Sequence, residues 1–135
     1  MRIGRTLLDE LIAHALEDPK NEVCGVVGVE AGSPARALEV YRAINQHASA
    51  LKFEIEPKEL LELYNSIEDA GHTFGAIYHS HVRSKPYPSQ TDIGFAANWP
   101  GVEWIIVGLT DGEAPEVRSY LIENGQVQEV ALEVE

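Results

Sequence analysis

Two kinds of apolar periodicity alternate along this chain, and their order restricts the fold. Apolar residues recur at helical spacing in residues 5–17 and again after Pro57, a residue that suits the first turn of a helix. Strand-sized apolar runs fill the intervals, and Asn124-Gly125 between two alternating segments predicts a hairpin. The order helix, strands, helix, strand, helix, strands predicts an α/β fold, with helices packed against a mixed sheet.

The same patterns predict where each element lies. Strands are expected at 23–29, 36–44, 74–79, 102–109, 116–122 and 126–132, with a short strand around Phe53 and Ile55. The second helix should end at Gly71 and bury Leu60, Leu61, Leu63, Tyr64 and Ile67. A short third helix should run from Ser89 to about Asn98, since Ser89 and Asp92 form a capping-box pattern. Asp111-Gly112 predicts a turn.

Composition excludes several classes of protein. The chain has 135 residues, 44% of them hydrophobic, which predicts one domain over 1–135 with a core that needs no disulfide staple. Its net charge of −12 disfavours nucleic acid and anionic membranes as partners. A single cysteine, Cys24, expected to be buried, and the lack of a signal-like or membrane-spanning apolar run predict a cytoplasmic location.

Two histidines and a carboxylate in one short stretch predict a metal site. His79 and His81 flank Ser80 in a strand-like segment, where alternate side chains point to the same side. Asp92 follows on the first turn of the expected third helix, within reach of that pair. Two imidazoles and a carboxylate form the ligand set of a catalytic zinc ion whose fourth position holds water. Such an ion lowers the pKa of water and polarises a carbonyl under attack.

Each half of this pattern also has an ordinary structural explanation. A histidine pair on a strand is often an incidental feature, and helix capping alone accounts for Ser89 with Asp92. Their combination favours the metal site, and Ser89 can cap the helix while Asp92 binds metal. The ligand set suits zinc, iron and manganese alike.

The spacing of these residues resembles a known motif. His79-Ser80-His81, seven further residues, Ser89, two residues and Asp92 match the JAMM motif of the MPN (Mov34/JAB1) metalloproteases. The resemblance extends from the first helix through the hairpin. It implies a cytidine-deaminase-like α/β sandwich and a single JAB1/MPN metalloprotease domain.

The resemblance also assigns a role to each site residue. It implies that His79, His81 and Asp92 bind one zinc ion. It implies that Glu22 is the general base, which deprotonates the water and later protonates the leaving amine. It implies that Ser89 stabilises the oxyanion of the tetrahedral intermediate. Without the resemblance, Glu22 would be one of 22 acidic residues.

Among family members, the compact chain is most similar to the small bacterial Mec-type peptidases. Segments 21–26, 77–81, 87–92 and 118–120 carry this similarity. It implies a zinc peptidase that cleaves after the C-terminal Gly-Gly of a ubiquitin-like sulfur carrier and releases cysteine. Two alternatives stay open: an isopeptidase for lysine-linked ubiquitin-like modifiers, and a non-catalytic MPN scaffold. A zinc deaminase would need a Pro-Cys-x-x-Cys segment, which a single cysteine excludes.

Four residues are candidates for contact with the substrate. Arg83 and Lys85 lie in the loop 82–88 between the metal ligands, and their cations suit a carboxylate such as that of a terminal cysteine. A solvated loop explains them equally well. Asn45, as a residue lining the cleft, and Ser80 complete the set. A flexible diglycine tail is expected to add as a strand beside a sheet edge near the zinc.

Overall fold

The computed structural model describes residues 1–109 and 114–135, and these form three helices and eight strands. The helices are α1 (Arg5–Glu17), α2 (Pro57–Asp69) and α3 (Gln90–Ala96). The strands are β1 (Arg2–Ile3), β2 (Cys24–Glu30), β3 (Arg36–Ala43), β4 (Thr73–His81), β5 (Glu103–Gly108), β6 (Glu116–Glu123), β7 (Gln126–Val130) and β8 (Glu133–Val134). The predicted turn at Asp111-Gly112 lies outside the described residues.

All the described strands join one mixed sheet in the order β7-β6-β5-β4-β2-β3-β1-β8. The central strand β4 pairs antiparallel with β2 and parallel with β5. In the first of these pairings Cys24 lies opposite His79. This register brings the segment that precedes β2 to the same end of the sheet as the carboxyl end of β4.

The two faces of the sheet carry separate apolar layers because side chains alternate along each strand. On one face, α1 packs against residues such as Val27 and Tyr78. On the other, α2 and α3 pack against residues such as Val26, Ile77 and Trp104. His79 and His81 share the face of Ile77, so they lie on the side covered by α2 and α3.

Most predicted elements are confirmed, including α1 and the β6–β7 hairpin. The hairpin turns at Asn124 and Gly125, whose φ angles of 52° and 73° are those a tight primed turn requires. Cys24 is buried, as expected. The third helix ends at Ala96 rather than near Asn98. The two-residue strands β1 and β8 were not predicted, since so short a segment shows no periodicity.

The predicted short strand around Phe53 and Ile55 is wrong. Both side chains are buried, but the backbone between them bonds within its own loop rather than to a strand of the sheet. The Glu54 N–H donates to the side chain of Asn45, and its carbonyl accepts from the Gln46 N–H. Apolar alternation therefore reports burial here, not sheet pairing.

The predicted buried side of α2 is wrong in part. Ile67 is fully buried, and Leu60 and Leu63 pack against the core. Leu61 and Tyr64 are exposed instead. Leu60, Leu63 and Ile67 are spaced i, i+3 and i+7, so they form one stripe along the helix. Leu61 and Tyr64 each lie one residue further along the chain and therefore fall outside this stripe.

None of the helices in residues 1–109 and 114–135 has the length and apolar character needed to cross a membrane.

Candidate metal centre

The two histidines occupy the carboxyl end of β4, and their ring nitrogens converge. Both side chains are buried, with exposed fractions of 0% for His79 and 3% for His81. Their Nε2 atoms lie 3.1 Å apart. The alternation of side chains along an extended strand accounts for this approach, as the sequence predicted.

The beginning of α3 places Asp92 against this pair. Ser89 is the N-cap: its Oγ accepts a hydrogen bond from the Asp92 N–H, and Asp92 Oδ2 accepts one from the Ser89 N–H. The predicted capping box is therefore confirmed. Asp92 Oδ2 also lies 3.2 Å from His79 Nε2 and 3.3 Å from His81 Nε2. Capping thus fixes the carboxylate in the position from which it faces both imidazoles.

The three converging atoms have the spacing expected of ligands to one ion. Two ligand atoms of a tetrahedral zinc ion, with bonds of about 2.0–2.1 Å, lie about 3.3 Å apart. The three distances here are 3.1, 3.2 and 3.3 Å. One face of such a tetrahedron is therefore already built, and the residues present fit a divalent metal ion.

The charge states of His79 and Asp92 also suit a cation. Burial lowers the pKa of His79, which keeps its imidazole neutral, with a lone pair on one ring nitrogen. Burial would raise the pKa of Asp92, but His79, His81 and the Ser89 N–H hold it well below its usual range. Neutral imidazole and ionised carboxylate are the forms that bind a metal.

Glu22 reaches the same place from the segment before β2. Its carboxylate, His79 and His81 form a group whose ligand atoms all lie within 4.8 Å of one another. Glu22 is 5% exposed, and its Oε1 has no hydrogen-bond partner. Burial raises the pKa of Glu22 to about 8, so this carboxyl holds a proton more readily than an ordinary one. An unpartnered buried carboxylate beside the ligands is suited to proton transfer.

The two histidines are oriented by different means. His81 Nδ1 donates to the Lys85 carbonyl at 2.8 Å, which leaves Nε2 to face the ligand cluster. His79 Nδ1 is buried without a partner, and its ring instead stacks on Phe53, with centroids 4.4 Å apart and planes at 25°. Phe53 was missed as a site residue because an apolar residue in a loop gives no sequence signal for such a role.

The loop 82–88 borders the ligands and is tied to the sheet. The Tyr120 hydroxyl donates to the Pro86 carbonyl, and Lys85 holds His81 through its backbone. The side chains of Arg83 and Lys85 are exposed, and neither forms an ion pair within residues 1–109 and 114–135. Both predicted cations are thus present at the rim of the site.

The other two substrate-binding candidates have partners inside the protein. Ser80 is fully buried, and its Oγ accepts a hydrogen bond from the Val23 N–H, which joins β4 to the end of the segment carrying Glu22. Asn45 bonds through its side chain to four backbone groups. A direct contact of Asn45 with substrate, as predicted from the sequence, would have to replace one of these bonds.

Comparison with known proteins gives the site its context. The model of the family Prok-JAB, prokaryotic homologs of the JAB domain, matches residues 4–123. A CysO-cysteine peptidase of Mycobacterium tuberculosis is 33% identical over 134 residues, covering 98% of this chain and 89% of that protein. A desampylase of Haloferax volcanii is 36% identical over 104 residues, covering 73% of each. A probable TtuB-protein conjugate cleaving protease of Thermus thermophilus is 39% identical over 136 residues, covering 98% and 81%.

Solved structures agree with the fold. A protein of Desulfitobacterium hafniense matches with a TM-score of 0.88 at 26% identity, covering 100% of this chain and 93% of the other. A JAB1/MPN domain protein of Archaeoglobus fulgidus matches with a TM-score of 0.65 at 20% identity, covering 100% and 96%. The architecture is therefore the JAB1/MPN α/β fold.

Fold and relatives together define the class of protein, a metallopeptidase of the JAMM type. The chain belongs to the Prok-JAB family, the prokaryotic homologs of the JAB domain.

Proposed function

We propose that this chain is a zinc-dependent peptidase that hydrolyses the bond after the C-terminal Gly-Gly of a ubiquitin-like protein and releases cysteine from a sulfur carrier. Residues 1–135 would act as one catalytic domain. The observation that carries the proposal is the convergence of His79, His81 and Asp92 at 3.1–3.3 Å beside the unpartnered carboxylate of Glu22. The relative named CysO-cysteine peptidase, which covers 98% of this chain, supports the substrate class.

His79, His81 and Asp92 would hold the metal ion through two imidazole nitrogens and one carboxylate oxygen. When bound, a zinc ion lowers the pKa of water and polarises a carbonyl. The chain itself supplies the rigidity of the site: β4 orients the two imidazoles, and the capping box orients the carboxylate. Such preorganisation keeps the ligands from rearranging during the reaction.

Glu22 and Ser89 would perform the proton transfer and the charge stabilisation. Glu22 would take a proton from the attacking water and give it to the leaving amine, because its buried carboxyl lies beside the two histidines and its Oε1 has no partner within the described part of the protein. The Ser89 Oγ accepts the Asp92 N–H, which leaves its hydroxyl proton available to donate to the oxyanion of the tetrahedral intermediate.

The exposed cations of the loop 82–88 favour a leaving group that carries a free carboxylate. Arg83 and Lys85 form no ion pair in the described part of a chain with a net charge of −12. Both follow the proposed ligand His81 closely in sequence. A C-terminal cysteine presents an α-carboxylate to such cations, whereas a lysine within a folded protein does not. The loop therefore supports the peptidase over the isopeptidase.

The isopeptidase remains the second candidate. The relatives named desampylase and TtuB-protein conjugate cleaving protease support it, since these names describe removal of a ubiquitin-like protein from conjugates. Both activities would use the same metal site and the same base. They differ only in the amine that leaves.

Mass spectrometry of one cleavage reaction separates the two. The zinc-loaded protein would be mixed with a ubiquitin-like carrier ending Gly-Gly-Cys and with the same carrier joined to a lysine side chain. Selective release of cysteine supports the proposal, and selective cleavage of the lysine conjugate overturns it in favour of the isopeptidase. The Glu22→Gln variant, loaded equally with zinc, serves as the control for contaminating peptidases.

A further inference from the structure

Asn45 lies near the start of the loop between β3 and α2. Its side chain has every hydrogen-bonding position filled. Its Nδ2 donates to two carbonyls, that of Glu22 at 3.0 Å and that of Lys52 at 3.1 Å. Its Oδ1 accepts from two amides, that of His47 at 3.1 Å and that of Glu54 at 3.2 Å. An Asn amide has two donor hydrogens and two acceptor lone pairs, so this set is complete.

One of these bonds acts directly on Glu22. The Asn45 amide holds the Glu22 carbonyl, and the Ser49 carbonyl accepts the Glu22 N–H at 2.7 Å. Both backbone polar groups of Glu22 are thus held by the same loop. This matters because Glu22 precedes β2 and lacks the ladder bonds that fix a strand residue. The position of its carboxylate therefore depends on the loop.

Two other bonds act on Phe53. Asn45 binds the carbonyl of the residue before Phe53 and the N–H of the residue after it, which clamps the backbone on both sides. Phe53 in turn stacks on His79, whose Nδ1 has no hydrogen-bond partner. A metal-binding histidine is usually oriented by a hydrogen bond from its second nitrogen. At His79 the aromatic stack takes that place.

We infer that Asn45 is a positioning residue that sets two parts of the site at once: the backbone of Glu22 and, through Phe53, the ring of His79. This inference rests on the proposed function, in which Glu22 is the base and His79 is a ligand. The partners of the Asn45 side chain are all backbone groups, so it bonds to none of the proposed ligand atoms and has no free position for a substrate. Its loss should therefore lower the rate of the chemical step without weakening substrate binding.

The test is the isosteric variant Asn45→Asp, compared with Asn124→Asp. The first keeps the oxygen that accepts from the His47 and Glu54 amides but replaces the nitrogen that donates to the Glu22 and Lys52 carbonyls. The second makes the same chemical change in the hairpin turn at Asn124, where φ is already 52°. We expect kcat of Asn45→Asp to fall about 10–100-fold, as for other groups that support a metal site, with KM unchanged. Asn124→Asp should match the wild type.

Amide hydrogen exchange supplies a readout that needs no turnover. In Asn45→Asp the protection of the Glu22 amide should fall at least about tenfold, while the amides of β4 keep theirs. A uniform loss of protection would overturn the inference, because it would mean a general structural role. A rise in KM with kcat unchanged would also overturn it, because Asn45 would then be a substrate contact.

A second variant, Phe53→Leu, tests the part of the inference that concerns the His79 ring. It does not require that Asn45 variants fold. Leucine keeps the apolar contact but removes the stack on His79. We expect zinc affinity, measured with the metal alone, to fall about tenfold, the lower end of the loss expected when a group supporting a metal ligand is removed, with the Glu22 amide still protected. Unchanged zinc affinity would overturn the role of Phe53. If the wild type cleaves neither substrate, the proposed function fails, and the exchange and zinc measurements still decide the inference.

Discussion

Ser89 and Asp92 exchange two reciprocal hydrogen bonds, and one oxygen in that exchange, Asp92 Oδ2, also faces both His79 and His81. The carboxylate that caps the helix is therefore also the one proposed to bind the metal. Any change to the cap should move this carboxylate, and any change at Ser89 should affect both the helix and the chemistry proposed for its hydroxyl.

Two substitutions at Ser89 should separate these effects. Ser89→Ala removes the cap and the hydroxyl, and we expect it to cost about 1 kcal/mol of unfolding free energy. Ser89→Gly keeps most capping strength, at a cost of a few tenths of a kcal/mol, but also lacks the hydroxyl. If Ser89 stabilises the oxyanion, kcat should fall about 10²–10³-fold in both variants. A loss of kcat in Ser89→Ala that Ser89→Gly does not share would assign the effect to capping.

Glu22→Gln should separate metal binding from proton transfer. The substitution keeps the shape of the side chain and removes its ability to take a proton, so turnover should fall about 10³-fold or more. Bound zinc, measured by elemental analysis of the purified protein, should stay at the wild-type level. A variant that keeps its activity would show that another group is the base.

Zinc should stabilise the folded chain through Asp92. A ligand at 100 times its Kd raises the free energy of unfolding by about 2.7 kcal/mol, which thermal denaturation with and without zinc detects. Asp92→Asn retains an oxygen that can accept the Ser89 N–H but loses the charge, so most of this gain should disappear while α3 persists. An equal gain in the variant and the wild type would remove Asp92 from the ligand set.

Two glycines near the site should respond to alanine in opposite directions. A Cβ at Gly25 would collide with the Tyr78 ring and the Tyr41 carbonyl, so Gly25→Ala should cost about 3 kcal/mol or abolish folding. A Cβ at Gly94, inside α3, meets no heavy atom within 4 Å. Gly94→Ala should therefore stabilise the protein by about 0.5–1 kcal/mol. Chemical denaturation measures both, and a stable Gly25→Ala protein would contradict the packing described.

Much of the metal site could be predicted because its geometry is local. His79 and His81 share one side of a strand through the two-residue repeat of extended chain, and Ser89 and Asp92 meet through the three-residue spacing of a capping box. These relations hold wherever such a strand or helix lies. The order of elements was predictable for the same reason, since each apolar period depends on neighbouring residues alone.

The contacts that Glu22 and Phe53 make around His79 could not be predicted from local spacing. The register that sets Cys24 opposite His79 brings in Glu22 from 57 residues before His79, and only the assembled sheet determines it. The stack of Phe53 on His79 likewise joins a loop to a strand, and the alternation around Phe53 suggested a strand instead. Contacts of this kind depend on which elements become neighbours, which no local period encodes.

The amino-acid sequence by itself thus determined the approach of His79, His81 and Asp92 to one another, the helix cap and the α/β order, because these follow from the periods of strand and helix. The tertiary structure decided that Glu22 lies beside the two histidines, that Phe53 stacks on His79, and that Asn45 binds backbone groups rather than facing outward. The physical reason is that a buried polar side chain takes whichever partners the folded chain brings within hydrogen-bond distance. Those partners are distant in sequence and become adjacent only when the sheet has formed.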